Sequence, residues 1–179
     1  MRRAVILCAP LLVAACGTQS QAGVPTPRAS EPTAQQPTTT TPAPPPASPE
    51  PTANGPCPYL PTNFVQDANG QRVSKVRISA DKPNPACFFY RADGKIQLTA
   101  WVFSGDPKQA KALVDQAAPV ATANPAELPG GWTGGAQATD TGAVYAVAKA
   151  GTAIVITTNQ EQTIKAKRVA EKAIETLGL

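Results

Sequence analysis

The placement of proline and aromatic residues divides this chain into two parts that cannot fold alike. All nine aromatic residues lie at or after Tyr59, whereas eleven prolines fall within residues 17–56. Aromatic side chains supply much of the area that a core buries, and a proline-rich stretch without them cannot offset the entropy lost on ordering. We therefore expect a disordered Pro/Thr-rich tether at 16–56. The globular domain is expected at 57–179, which is long enough for one modest core.

The first residues have the order of a secretory signal. Two arginines precede an apolar run of about 12 residues, and a membrane-spanning helix needs about 20. Residues 13–16 read Val-Ala-Ala-Cys and resemble the lipobox of bacterial lipoproteins, whose cysteine receives the lipid, palmitate included, before cleavage. We therefore expect a signal peptide at 1–15 and a lipid anchor on Cys16 at the extracytoplasmic face of a bacterial cell membrane. An ordinary signal cleaved after Ala15 is the alternative.

Cys57 and Cys87 are the two cysteines of the expected domain. In an exported protein an isolated pair favours a disulfide bond. The bond would close a loop of about 30 residues and stabilise the fold by roughly 3–4 kcal/mol on the chain-entropy model. A metal site is disfavoured because the chain has no histidine and no Cys-x-x-Cys pair.

Hydrophobic periodicity and turn residues predict the order helix, strand, hairpin, helix, hairpin, helix. Asp106 with Pro107 should begin the second helix, and Asn159 with Gln162 has the spacing of a capping box for the last one. The Gly- and Pro-rich stretch 124–141 is expected to be irregular, with a mobile loop around its tryptophan. The predicted elements lie at 64–69, 73–79, 87–103, 106–119, 143–158 and 159–178.

This order predicts the fold class. Hairpins imply antiparallel pairing, and strands and helices do not alternate singly, so the domain should be α+β. We expect a two-layer domain with an antiparallel sheet of about five strands and its helices packed on one face.

Several segments of the expected domain are similar to one known family. They are residues 55–60, 86–90, 143–147 and 157–160, and the similarity extends over nearly all of 55–179. The segments resemble a family of actinobacterial lipoproteins catalogued as a domain of unknown function. The resemblance implies a cell-envelope protein of mycobacteria-like bacteria, and it implies no activity and no catalytic residue.

The residue types present argue against an enzyme. With no histidine, neither a Ser-His-Asp nor a Cys-His arrangement can be built. The carboxylates are scattered singly over turns and caps, so we expect no catalytic residue, no metal and no cofactor. From Cys57 onward there are 13 Lys/Arg and 10 Asp/Glu with interspersed signs. Nucleic-acid binding favours a clustered basic stripe instead.

Three large aromatic residues form the candidate binding patch. Trp101 and Phe103 end the return strand of the first hairpin, and Trp132 lies in the glycine-rich stretch. Exposed aromatic residues near a flexible loop are common binding anchors, although all three could also close the edge of the core. We expect a non-enzymatic binding or adaptor module whose partner is an envelope protein, a glycan or a lipid. The alternative is a carrier of a lipid or small apolar ligand in a cavity between sheet and helices.

Overall fold

The computed structural model describes residues 43–179. The expected signal peptide, the expected lipidation site Cys16 and most of the tether lie outside these residues. The strands are β1 (Ala53–Asn54), β2 (Lys75–Ile78), β3 (Cys87–Tyr90), β4 (Ile96–Ser104), β5 (Asn124–Leu128), β6 (Trp132–Thr139), β7 (Gly142–Lys149) and β8 (Thr152–Thr158). The helices are α1 (Thr62–Asn69), α2 (Pro107–Ala117) and α3 (Thr163–Leu177).

In residues 43–179 the eight strands form one antiparallel sheet in the order β1-β2-β3-β4-β8-β7-β6-β5. Strands β1–β4 and β5–β8 form two sets of neighbouring strands, and α2 lies between the two sets in sequence. The sets join where β4 pairs with β8. The predicted hairpins β3–β4 and β7–β8 are confirmed. The domain is therefore α+β, as predicted.

The predicted number of about five strands was wrong, because three strands were missed. Strands β5 and β6 occupy most of the stretch 124–141 that was expected to be irregular, and the turn between them is made by Gly130 and Gly131, whose φ angles are +87° and +86°. The expected mobile loop is therefore a hairpin. Strand β1 pairs with β2 at Ala53–Asn54, so the sheet begins before Cys57, the expected start of the domain.

The prediction that the helices pack on one face was also wrong. Side chains alternate between the two faces of a strand, and both faces of β8 are buried. Ile154 and Ile156 join the cluster that includes α1 and α3, whereas Ala153 and Val155 join the cluster that includes α2. The described domain therefore has three layers, with the sheet between α2 on one face and α1 with α3 on the other.

The first residues of α2 and α3 test the two predicted capping signals. Asp106 caps α2 by accepting hydrogen bonds from the backbone N–H groups of Lys108 and Gln109. The capping box for α3 was wrong, because the helix begins at Thr163 and the side chain of Gln162 makes no capping bond. No helix in residues 43–179 combines the length and the apolar character that a membrane crossing requires.

Candidate binding surface

The predicted disulfide bond is confirmed. Cys57 and Cys87 are bonded, with 5.5 Å between their Cα atoms. The bond joins the segment before α1 to β3, and both cysteines are buried in the α1/α3 side of the core. Its position in the core indicates a structural role.

The sheet separates the three aromatic residues of the predicted patch. Trp132 is 1% exposed in the α1/α3 side of the core. Trp101 and Phe103 lie half-buried on the opposite face, against the α2 side of the core. The three side chains therefore do not form one patch. Trp132 instead fills the core beneath the β5–β6 turn, and the Lys149 ammonium lies 5.3 Å from its ring centroid.

A groove of about 450 Å³ lies beside α2 in the described part of the chain. We call it the α2 groove, and its volume lies within the usual range of ligand sites, roughly 300–1,000 Å³. One wall is α2 and the other is the segment leading into β5. The glycines of β6 lie between the two walls, and the residues that define the groove are Val114, Ala118, Ala123, Pro125, Gly134 and Gly135.

Small residues in β6 make this groove possible. A Cβ atom on Gly135 would come within 2.9 Å of the Ala118 side chain, and one on Gly134 would overlap a backbone carbonyl of β7 and come within 2.9 Å of the Val114 side chain. Both distances are shorter than side chains tolerate. The glycines thus let α2 approach the sheet closely and leave a shallow, mostly aliphatic surface along it.

Val120 is the most exposed large hydrophobic residue in residues 43–179. It borders the α2 groove and is 80% exposed. A pair of opposite charges, Lys111 and Asp115, also borders the groove and forms an ion pair along α2. The α2 groove therefore combines an apolar centre, one protruding aliphatic side chain and a charged rim.

A second, smaller opening lies on the same face. It has a volume of about 290 Å³ and is bordered by Trp101 of β4, Leu113 of α2 and Val155 of β8. Ser48 and Pro49, which precede β1, also border it. We call it the shelf cavity. It lies between the sheet and a helix, which is where a small apolar ligand was expected.

The buried polar residues of the described part serve the fold. The Asn69 side-chain amide donates to Gln97 Oε1 at 3.0 Å and its carbonyl accepts from the Thr158 hydroxyl. All three residues are at most 2% exposed, and the network ties the end of α1 to β4 and β8. Because these polar atoms bond one another, they offer nothing to a ligand.

Two buried tyrosines are equally unsuited to proton transfer near neutral pH. Burial raises the pKa of Tyr59, and its hydroxyl donates to the backbone carbonyls of Pro85 and Ala100. Burial and the negative charge of Glu171 raise the pKa of Tyr145 to about 12. Among residues 43–179, no three His, Cys, Asp or Glu side chains are grouped so that they could hold a metal.

Sequence reasoning missed the residues that border the α2 groove. Val120 could not be identified as a binding residue from the sequence, because a single apolar residue after Pro119 forms no periodic pattern. Gly134 and Gly135 were interpreted as a loop, although they belong to a strand. A signal was present nonetheless, since a run of glycines near an alanine-rich helix permits close helix–sheet packing.

Comparison with known families places residues 38–179 within a model described as a domain of unknown function, DUF2020. The match covers more than half of the chain and includes every described residue. No curated protein matches the sequence.

Proposed function

The chain belongs to the DUF2020 family, and we propose that it is a membrane-anchored lipoprotein of the actinobacterial cell envelope whose extracytoplasmic domain is a non-enzymatic adaptor. The α2 groove is its binding surface, and the partner is an apolar segment of another envelope protein. The observation that carries this proposal is Val120, 80% exposed beside an open aliphatic groove. Exposed apolar surface with a polar rim is typical of protein–protein contacts.

The chemistry of the groove favours a protein over a glycan. Among the described residues that border it, none is aromatic, whereas sugar rings are commonly held by stacking on aromatic faces. Its aliphatic surface suits an apolar side chain of a partner. The ion pair of Lys111 with Asp115 at the rim would contribute orientation more than affinity.

The absence of an enzymatic role is proposed from the residue types. The chain has no histidine, and the carboxylate that borders the α2 groove, Asp115, is already paired with a lysine. Acid–base catalysis by carboxylates alone usually needs two of them facing the same substrate. A binding role needs neither a general acid nor a general base.

The anchor is proposed from the sequence. A lipobox cysteine at position 16 would carry the acyl chains, because two or more chains hold a protein stably at a membrane. We expect Cys16→Ala to move the protein from the membrane fraction to the soluble exported fraction. Full retention of the variant in the membrane fraction would contradict this part of the proposal.

Co-purification tests the groove. Full-length tagged protein is isolated from its own host's membranes as wild type, as Asn124→Arg and as Glu161→Gln. Asn124 is exposed and borders the groove, whereas Glu161 is exposed just before α3. Both substitutions raise the net charge by one. We expect the partner to be retained by wild type and Glu161→Gln and lost from Asn124→Arg, and equal retention by all three would contradict the proposal.

A second function, transport of a small apolar ligand, is favoured by the shelf cavity alone. Its volume of about 290 Å³ is just below the usual range of ligand sites, roughly 300–1,000 Å³, and a diacyl lipid would not fit inside it. Native mass spectrometry of protein purified from its host in mild detergent tests this alternative. An added mass that is lost on denaturation and absent from Trp101→Ala would favour it over the adaptor.

A further inference from the structure

Residues 43–50, which we call the strap, lie in the segment that was expected to be free tether. They form neither helix nor strand. Their half-buried residues recur at every third position, Ala43, Pro46 and Pro49, and the residues between them are exposed. A polyproline II helix has three residues per turn, so this spacing places one side of the strap against the domain.

The path of the strap can be followed from its end. Pro49 borders the shelf cavity together with Trp101 and Thr99 of β4, and four residues later Ala53 lies in β1. The backbone N–H of Thr52 already donates to a carbonyl of β2. So few residues allow only a short route from Pro49 to the edge strand, and that route crosses β3 and β2.

The path of the strap crosses aromatic residues that lie outside the main contacts of the described helices with the sheet. Phe88 of β3 pairs with Thr99 in register, so its side chain points to the same face of the sheet as Trp101. Phe88 is 5% exposed and Tyr90 is 8% exposed, while the main described contacts of α2 with the sheet lie over β6, β7 and β8. A cover is needed to bury these two rings, and the strap is the described segment whose path supplies it.

We propose that Phe88, Tyr90 and Trp101 form a polyproline-binding site, the aromatic shelf, and that the strap is its resident ligand. Aromatic grooves bind polyproline II segments well because such segments are already extended and lose little entropy on binding. The Lys75 ammonium lies 4.7 Å from the Tyr90 ring centroid and adds a cation to the shelf.

Two properties follow from an intramolecular ligand. The strap is present at high effective concentration, so a proline-rich segment of another protein reaches the shelf only by displacing it. Displacement also frees eight residues, which adds about 25 Å of polyproline reach between membrane and domain. The shelf would thus couple recognition of a proline-rich partner to the length of the tether.

Fluorescence quenching by acrylamide tests the proposal on the full chain. Trp132 is 1% exposed, so quenching reports Trp101, and Trp101→Phe defines the background. We compare Pro46→Gly/Pro49→Gly, on the half-buried side of the strap, with Pro44→Gly/Pro45→Gly, on its exposed side. Both remove two prolines. We expect quenching to rise severalfold in the first variant and to stay near wild type in the second, and equal quenching in the two would overturn the proposal.

A peptide supplied in trans tests recognition separately from strap placement. A synthetic peptide of residues 43–52 is added to Pro46→Gly/Pro49→Gly, with a second peptide in which every proline is alanine as the control. The proline peptide is expected to restore protection of Trp101, and the alanine peptide is not. If neither peptide or both peptides protect Trp101, the shelf does not recognise polyproline.

Discussion

At the scale of single residues, burial decides how the core residue Tyr145 ionises. Tyr145 lies in the core between β7 and α3, where its hydroxyl donates to the carbonyl of Glu127 at 3.3 Å. Burial first, and then the charge of Glu171, raise its pKa from 10.0 to about 12. A raised pKa means that the folded state favours the neutral phenol. The resulting stability is fully present below pH 10 and is lost as the pH rises toward 12.

Tyr145→Phe isolates this contribution. The variant keeps the ring but cannot ionise, so its stability should fall less steeply than that of wild type between pH 10 and 12. At neutral pH it should lose about 0.5–1.5 kcal/mol with the hydrogen bond. Urea denaturation at pH 8, 10 and 11 measures both effects. Parallel losses in the two proteins over this range would contradict a raised pKa at Tyr145.

At the scale of secondary-structure elements, the structure depends on contacts that join segments distant in sequence. Asn69 ends α1 and bonds side chains of β4 and β8, which are 28 and 89 residues away. Asn69→Ala should therefore cost about 2–4 kcal/mol, because it leaves buried atoms of Gln97 and Thr158 without partners.

Asn63→Ala is the matched control for this substitution. Asn63 lies on the same helix but is exposed, so its loss should change stability by no more than about 0.5 kcal/mol. Chemical denaturation of the two variants checks the comparison. Equal effects would mean that the buried network adds nothing beyond the helix itself.

Elements with strong local signals could be predicted from the sequence. Turn residues predicted the β3–β4 hairpin, and Asp106-Pro107 predicted the start of α2. Strands β5 and β6 could not be predicted, because their glycines and prolines are typical of loops. In this fold the glycines of β6 let α2 approach the sheet. The half-buried second face of β4 was equally hard to predict, because alternating Thr99, Trp101 and Phe103 look only partly apolar.

At the scale of the whole molecule, the disulfide bond fixes the segment before α1 to the middle of one half of the sheet. It was predictable because only two cysteines follow Cys16, the expected lipid-bearing residue. The boundary of the sheet could not be predicted, because Ala53–Asn54 joins the sheet by backbone pairing with β2. Side-chain composition gives no sign of such pairing. The strap was missed for the same reason, since proline-rich sequence looks alike whether free or docked.

Loss of the disulfide bond should destabilise the whole domain. The bond closes a loop with a sequence separation of 30 residues, so Cys57→Ser/Cys87→Ser should lose about 3–4 kcal/mol on the chain-entropy model. Denaturation of wild type with and without a reducing agent, beside the double variant, measures this loss. A change smaller than about 1 kcal/mol would mean that the unfolded state is not constrained by the bond.

Photo-crosslinking in the native host tests the proposed adaptor most directly. A photoreactive amino acid replaces Val120 at the α2 groove, and in a control strain it replaces Ile164, which is 58% exposed on α3 on the other side of the sheet. After irradiation of intact cells, the adducts are identified by mass spectrometry. The adaptor proposal predicts one defined protein adduct at position 120, absent at position 164 and lost when Asn124→Arg is added. A lipid adduct at position 120, or the same adducts at both positions, would contradict it.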